Sequence, residues 1–197
     1  MNVSRETDVL LNEYSTLIKK WNPAINLVAE NSLSEIKIRH IADSAQLLDL
    51  ANPTEGSWTD LGSGGGFPGM VLSILTQPRK LTVTLVESDR RKAAFLRTVR
   101  RQLGLRNLRI ETCRIEALPP LKSNYLSARA LASIDKLLDF TPDQLAVEGE
   151  LWLLKGKQWR DEVRVAKNKW SFDYDTFESA TDSESVVIRL RNVKRND

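Results

Sequence analysis

The sequence has one cysteine, Cys113, and one histidine, His40. A single cysteine excludes an intrachain disulfide, and the two residues are too few for the usual zinc ligand sets, so we expect no metal. Long apolar runs are also missing. No window approaches the ~18 apolar residues of a membrane span, and the charged start MNVSRETDVL lacks the apolar stretch of a secretory signal. We therefore predict a cytoplasmic protein with no membrane partner.

The bulk composition is that of a globular protein. The 197 residues are 41% hydrophobic and 28% charged, and the formal net charge is +3. This length allows one sizeable core, and the mild excess of base weakly favours an anionic partner.

Two amphipathic helices are predicted before the first strand. Apolar residues recur at helical spacing from 4 to 20, and the pair Asn22-Pro23 predicts the end of this helix. Ser32 and Glu35 have the spacing of a capping box, which predicts a second helix up to about Leu50. We expect residues 1–50 to form an N-terminal helical cap, packed as one globular unit with a domain formed by 57–197.

Short apolar strands alternate with helices after the cap. This alternation predicts βαβ units and a mostly parallel, Rossmann-like α/β sheet, in which ligands bind beyond the carboxyl ends of the strands. The predicted strands cover 58–61, 81–87, 108–112, 126–130, 150–154, 170–177 and 185–191, and the predicted helices cover 67–75, 89–103, 133–146 and 157–169.

The segment TDLGSGGGFPG, residues 59–69, follows the first predicted strand and contains five glycines. Glycine permits positive φ and lets a ligand approach bare main chain. A P-loop is excluded because no lysine follows these glycines. A dinucleotide fingerprint stays open, since residues 64–69 satisfy GxGxxG and Glu87, at the end of the next strand, could hold a ribose hydroxyl.

Charge distinguishes between the ligands that remain. Asp60 stands two residues before the first glycine, and no Arg or Lys occurs between Asp60 and Gly69. A pyrophosphate would meet an unneutralised carboxylate, whereas the sulfonium and ammonium groups of S-adenosylmethionine would be attracted to it. The acidic residue, the spaced glycines Gly62 and Gly64 and the strand-terminal Glu87 therefore favour S-adenosylmethionine as the cofactor. An NAD-dependent oxidoreductase is the alternative.

Two groups of basic residues favour a nucleic-acid partner. Eight lie between Arg90 and Arg109 with no acidic residue among them. A second group, in 155–169, is interleaved with Trp159 and followed by Trp170, which is suited to tracking phosphates and stacking bases. The second group is equally typical of a solvated helix face with buried tryptophans.

The absence of certain motifs reduces the number of possible methyl acceptors. Adenine-amine methyltransferases usually carry an Asn/Asp-Pro-Pro-aromatic motif after the fourth strand. This chain has no such motif. Methylation of a cytosine carbon needs a cysteine nucleophile, and Cys113 follows the third strand, where an adenine pocket is expected. An acceptor that needs no covalent help, such as guanine N7, is favoured.

Together these segments resemble the bacterial small-subunit ribosomal RNA guanine-N7 methyltransferases, also called the glucose-inhibited division protein B family. The matching pieces are KWNPAINL (20–27), IRHIADS (38–44), TDLGSGGGFPG (59–69), LVESDRRKAAFLR (85–97), the segment 113–116, SARALAS (127–133) and LLKG (153–156). The resemblance implies a class I S-adenosylmethionine-dependent methyltransferase with a seven-stranded sheet that methylates N7 of a guanine in 16S rRNA. A non-catalytic RNA-binding or ribosome-assembly factor of the same fold is a further alternative.

The glycine motif and the resemblance together assign the site residues. The cofactor-binding residues are predicted to be Asp60, Gly62, Gly64, Phe67, Glu87, Ile115, Glu116 and Arg129. RNA contacts are predicted for Arg39, His40 and Lys155, and Arg129 and Lys155 are the candidates for positioning the acceptor. For His40 a structural hydrogen bond between cap and core is the favoured alternative, because N7 methylation needs no base. The chain departs from the family at 182–185, where it is acidic instead of basic.

Overall fold

The computed structural model describes residues 3–196. The α-helices are α1 (Arg5–Ile25), α2 (Asp43–Ala51), α3 (Gly69–Leu75), α4 (Arg90–Gln102), α5 (Ile134–Leu138), α6 (Thr141–Gln144) and α7 (Trp159–Ala166). The strands are β1 (Glu55–Leu61), β2 (Lys80–Val86), β3 (Leu108–Glu111), β4 (Ser123–Arg129), β5 (Leu145–Lys155), β6 (Trp170–Glu178) and β7 (Val186–Arg195). A π-helical turn (Lys37–Ala42) leads directly into α2.

The strands form one sheet in the order β3-β2-β1-β4-β5-β7-β6. Neighbours from β3 to β5 are parallel, and β7 runs antiparallel to both β5 and β6. The expected mostly parallel, seven-stranded sheet is confirmed. A dinucleotide-binding sheet has the order 3-2-1-4-5-6, so the antiparallel strand between β5 and β6 separates this fold from that of the NAD-dependent alternative.

Side-chain alternation along the strands gives the sheet two buried faces. On β5, Trp152 and Leu154 pack in the apolar core that contains α1 to α4, whereas Leu151 and Leu153 pack in the core that contains α5 and α7. The cap helices therefore share one core with the sheet.

The predicted end of the first helix was wrong. Helix α1 continues through Pro23 to Ile25 and is capped by Asn26 in the left-handed conformation. Pro23 cannot donate to the Lys19 carbonyl oxygen, and the helix closes through the Asn26 N–H, which donates to the Asn22 carbonyl oxygen.

The predicted capping box was also wrong. Ser32 lies in a 3₁₀ turn, and its hydroxyl donates to the Ala29 carbonyl oxygen at 2.7 Å instead of accepting from a helical N–H. The predicted helix 133–146 is divided into α5 and α6, because Pro142 starts a new turn at the beginning of α6. Strand β5 then begins at Leu145, earlier than predicted.

The strand order changes direction at β1. From β1 the chain adds β2 and β3 toward one edge of the sheet, and it then returns to add β4 and β5 on the other side of β1. Such a switch point is where ligands bind in open α/β sheets. The glycine-rich segment between β1 and α3 lies at this position. Within residues 3–196, no helix combines the length and apolar character needed to cross a bilayer.

Candidate functional site

A cavity of about 620 Å³ lies at the carboxyl ends of β1, β2 and β4. This volume is in the usual range for a small-molecule site. Of the residues predicted to bind the cofactor, all but Asp60 line the cavity, namely Gly62, Gly64, Phe67, Glu87, Ile115, Glu116 and Arg129.

Asp60 lies beneath the glycine-rich segment and is fully buried. Its carboxylate accepts hydrogen bonds from the Gly69 N–H at 3.2 Å and the Ser127 hydroxyl at 2.8 Å. Burial raises the pKa of Asp60 to about 6. The expectation that this carboxylate faces the ligand is corrected: Asp60 holds the loop in place from below, because its side chain points toward α3 and β4.

Glu87 joins the first two loops of the cavity. Its carboxylate accepts the N–H of Gly64 and the N–H of Asp89, both at 2.7 Å. A carboxylate has about four lone-pair sites, so two acceptor sites remain for a ligand hydroxyl.

The main chain of the glycine-rich segment forms one wall. Gly62 and Gly64 have φ values of +67° and +57°, which other residues rarely adopt. A Cβ on Gly62 would lie 2.5 Å from Leu131 Cδ1, so β1 and the segment after β4 approach each other closely only because residue 62 has no side chain.

The N-terminal helices support this wall through contacts that the sequence did not reveal. The hydroxyl of Tyr14, on α1, donates to the Gly65 carbonyl oxygen at 2.7 Å. The Asn22 side-chain oxygen accepts the N–H groups of Leu27 and Val28 at 2.8 and 2.9 Å, and these two residues line the cavity. The only sequence signal was that Asn22 and Leu27 belong to KWNPAINL.

Arg129 is held at the end of β4 by the N-terminal segment. Its Nε lies 3.4 Å from an Asp43 carboxylate oxygen, and Nη2 donates to the Arg39 carbonyl oxygen at 2.8 Å. Asp43 in turn accepts from Gln46 at 2.8 Å and from the Thr181 hydroxyl at 3.0 Å. Arg129 Nη1 is buried and has no hydrogen-bond partner within residues 3–196. A buried N–H without a partner is costly, so this atom marks a place where a ligand acceptor fits.

A second cavity, of about 1020 Å³, adjoins the first across residues 129–132. Arg129 lines both cavities, and Arg39 lines the second. Ala130, between them, has a φ of +50°. A non-glycine residue in this conformation is strained, and such strain is concentrated at functional sites.

Lys155, predicted to contact RNA and position the acceptor, lines the second cavity, and its ammonium is bound by neighbouring residues. Its ammonium donates to the Ala132 carbonyl oxygen at 2.6 Å and to a Glu162 carboxylate oxygen at 2.7 Å, and the side chain is 9% exposed. Lys155 therefore supports the wall between the cavities. Arg39 is exposed at the second cavity, with one long ion pair of 3.7 Å to Glu35.

His40 faces the first cavity and packs on Phe67, with ring centroids 5.0 Å apart. Its Nε2 lies 2.8 Å from the Ser32 hydroxyl oxygen. Because that hydroxyl donates to Ala29, His40 Nε2 is the donor. Burial and the neighbouring Arg129 and Arg39 lower the pKa of His40 to about 4. The hydrogen bond lies within the N-terminal segment, so the link to the core is the ring contact.

The strand order and the cavity at the glycine-rich segment define a class I methyltransferase. Solved structures with this fold include M. jannaschii TYW2 in complex with AdoMet (TM-score 0.61, 14% identity, covering 88% of this chain and 80% of that one). A SAM-dependent methyltransferase from Aquifex aeolicus is similar to the same degree (TM-score 0.62, 14% identity, 90% and 96% coverage).

The sequence comparisons identify the family. The family model described as rRNA small subunit methyltransferase G matches residues 8–187. Ribosomal RNA small subunit methyltransferase G of Paracoccus denitrificans is 45% identical over 194 residues, which cover 98% of this chain and 99% of the relative. The protein of the same name from Ruegeria sp. is 42% identical, with 99% and 95% coverage. This chain belongs to the rRNA small subunit methyltransferase G family.

Proposed function

We propose that this protein transfers the methyl group of S-adenosylmethionine to N7 of a guanine in 16S rRNA, in the cytoplasm. The observation that carries the proposal is a pair of adjoining cavities, one at the glycine-rich segment and one open toward Arg39, in a chain of this family. The names of the relatives supply the rRNA substrate. The guanine and its N7 atom come from the resemblance and from the acceptor chemistry.

The residues of the first cavity fit S-adenosylmethionine. Glu87 has acceptor sites left for ribose hydroxyls. Val86 and Ile115 provide apolar surface for an adenine ring, and Glu116 lies beside them. The unpartnered Nη1 of Arg129 suits a carboxylate such as that of the methionine part. When bound, S-adenosylmethionine supplies a methyl group activated by the sulfonium.

The second cavity suits the acceptor base, because it meets the first at Arg129 and is open to solvent on the side of Arg39. Guanine N7 has a lone pair and no proton to lose, so no general base is required. Nothing at the site contradicts this: the pKa of Cys113 is raised by burial and by Glu111, which disfavours a thiolate nucleophile. The contribution of the chain is then positioning, which can be worth roughly 7–11 kcal/mol of a barrier.

The test is methyl transfer from radiolabelled S-adenosylmethionine to small ribosomal subunits from cells that lack this protein, followed by mapping. We expect label at one guanine, and we expect borohydride–aniline treatment to cleave 16S rRNA at that guanine only in cells that have the protein. Full N7 methylation of this guanine in cells without the protein would refute the proposal.

A further inference from the structure

The basic residues of α7 and its flanks are largely neutralised or packed by their neighbours. Lys155 pairs with Glu162 at 2.7 Å, and Arg164 pairs with Asp161 at 2.7 Å. Lys169 pairs with Asp135 at 3.7 Å. Two further members lie on aromatic rings: Arg160 is 4.5 Å from the ring centroid of Trp159, and Lys167 is 4.9 Å from that of Tyr174. Trp170 is buried. Of the two predicted roles, this arrangement favours the solvated helix face, although only Trp170 of the three rings is buried.

The basic residues of α4 and β3 differ from this group, because most of them are exposed and have no acidic partner among the described residues. Helix α4 buries Ala93, Phe95, Leu96 and Val99, so its basic residues are turned toward solvent. Six exposed arginines, which we call the arginine strip, have no carboxylate oxygen within 4.0 Å among residues 3–196. The strip consists of Arg90, Arg97, Arg100, Arg101, Arg106 and Arg109.

The arginine strip begins beside the first cavity. Lys92, in the first turn of α4, and Arg114, after β3, both line that cavity. From there the 13 residues of α4 extend for about 20 Å, at 1.5 Å per residue. Because β3 is the edge strand of the sheet, no further strand covers this side. A polyanion bound along the strip would thus pass the opening of the cofactor cavity.

We propose that the arginine strip binds the sugar–phosphate backbone of the rRNA substrate and so delivers the target base to the site, an inference that rests on the proposed function. Like charges at this density repel one another, and a polyanion that neutralises them also releases its own counterions.

An RNA backbone fits the strip better than an acidic protein does. Protein interfaces have a fully buried core in which apolar and aromatic residues are enriched. The exposed large hydrophobic residues of the described chain are Val9, Ile38, Leu121, Leu131, Val147, Val165 and Tyr174. None of them lies between residues 90 and 109, so the strip offers charge without an apolar anchor.

The test compares two variants that remove the same number of positive charges. The first carries Arg100→Gln, Arg101→Gln and Arg106→Gln in the strip. The matched control carries Arg160→Gln, Arg164→Gln and Lys167→Gln around α7. Binding to undermethylated small subunits is measured over a series of KCl concentrations by filter retention, together with kcat and KM for methyl transfer and the Kd for S-adenosylmethionine.

We expect the strip variant to bind the subunits at least ~10-fold more weakly at moderate salt, with the slope of log K against log [KCl] smaller by about 2 to 3. Its KM for the subunit should rise, while kcat and the Kd for the cofactor stay within twofold of the wild type. The control should change subunit binding less than about twofold.

If both variants lost the same affinity for the subunits, the loss would be due to total charge alone, and the inference would be overturned. It would also be overturned if the strip variant bound the subunits as tightly as the wild type. Because subunit binding is measured directly, the strip is tested even if the wild type transfers no methyl group. That last result would refute the proposed function alone.

Discussion

The Glu87 carboxylate accepts hydrogen bonds from the N–H groups of Gly64 and Asp89. In Glu87→Gln the amide nitrogen can accept neither N–H, so one loop loses its support and a charged acceptor for the ribose disappears. We expect the Kd for S-adenosylmethionine to rise about tenfold, equivalent to about 1.4 kcal/mol, in a calorimetric titration. Glu111→Gln, on the exposed end of β3, is the control and should bind normally. Unchanged affinity in Glu87→Gln would contradict this role.

The Asp43–Arg129 pair is mostly shielded from solvent, with side chains 13% and 21% exposed. Replacing Asp43 by Asn leaves the guanidinium of Arg129 without its counter-charge, and a shielded charge without a partner is costly. We expect a loss of about 2 kcal/mol in the free energy of unfolding, measured in urea, together with weaker cofactor binding. Glu35→Gln removes an exposed ion pair of 3.7 Å and should change stability by less than about 0.5 kcal/mol. If Asp43→Asn and Glu35→Gln lost similar free energies of unfolding, the shielded pair would be no more important for stability than the exposed one.

His40 makes the stability of the protein depend on pH. Its folded pKa is lowered to about 4 from an ordinary value of 6.5, so between these values the unfolded state binds more protons than the folded state. Stability therefore falls as pH decreases through this window. Because the ring is partly exposed, we expect only about 1 kcal/mol of loss between pH 7 and pH 5.

The measurement is the difference in free energy of unfolding between wild type and His40→Gln at pH 7 and pH 5. The comparison isolates His40, because Asp60, whose pKa is raised to about 6, has the opposite pH dependence and is present in both proteins. If the difference in free energy of unfolding between the two proteins were the same at pH 7 and pH 5, the lowered pKa of His40 would be contradicted.

At the scale of elements, the glycine-rich segment offers a matched pair of substitutions. Gly64 and Gly66 both have positive φ, but a Cβ on Gly64 would meet nothing closer than 3.9 Å, whereas one on Gly66 would lie 2.6 Å from the Tyr14 hydroxyl. We expect Gly64→Ala to cost about 1 to 2 kcal/mol from backbone strain alone. Gly66→Ala adds overpacking of a further ~1 to 3 kcal/mol. Chemical denaturation would measure both, and equal costs would argue against the tight contact with α1.

The elements that the sequence predicted are those whose signals are local. Strand–helix alternation predicted the sheet, and the glycines of 62–66 marked the cavity. The split of 133–146 was missed although Pro142 signalled it. The π-helical turn Lys37–Ala42 was not predicted, because its sequence contains no proline or glycine that would mark it.

The error over Asp60 has another cause. Spacing placed a carboxylate next to the glycines, but it did not reveal on which side of the loop the side chain points. The partners that decide this, Ser127 and Gly69, are fixed only by the tertiary fold. Tyr14 and Asn22 were missed for the same reason, since their acceptors and donors lie on the loops they support.

At the scale of the whole molecule, we propose that residues 1–50 and 57–197 unfold together. Helix α1 packs against α3 and α4, and one apolar core contains Ile18 of α1 as well as Trp58 of β1. The Tyr14 hydroxyl also donates to the buried Gly65 carbonyl oxygen. An N-terminal segment that contributes to the main core and holds the ligand loop has no separate core of its own.

We therefore expect one cooperative transition in urea, with coincident midpoints by far-UV circular dichroism and by tryptophan fluorescence. Trp21 reports on α1, and the other four tryptophans report on the strands and α7, so the difference between wild type and a Trp21→Phe variant isolates the Trp21 signal. Tyr14→Phe leaves a buried carbonyl oxygen unsatisfied and should lower the free energy of unfolding by about 1 to 2 kcal/mol without splitting the transition. If the Trp21 signal and the signal of the other tryptophans instead gave different midpoints, the N-terminal helices would be a separate folding unit, and the loop contact of Tyr14 would join two domains.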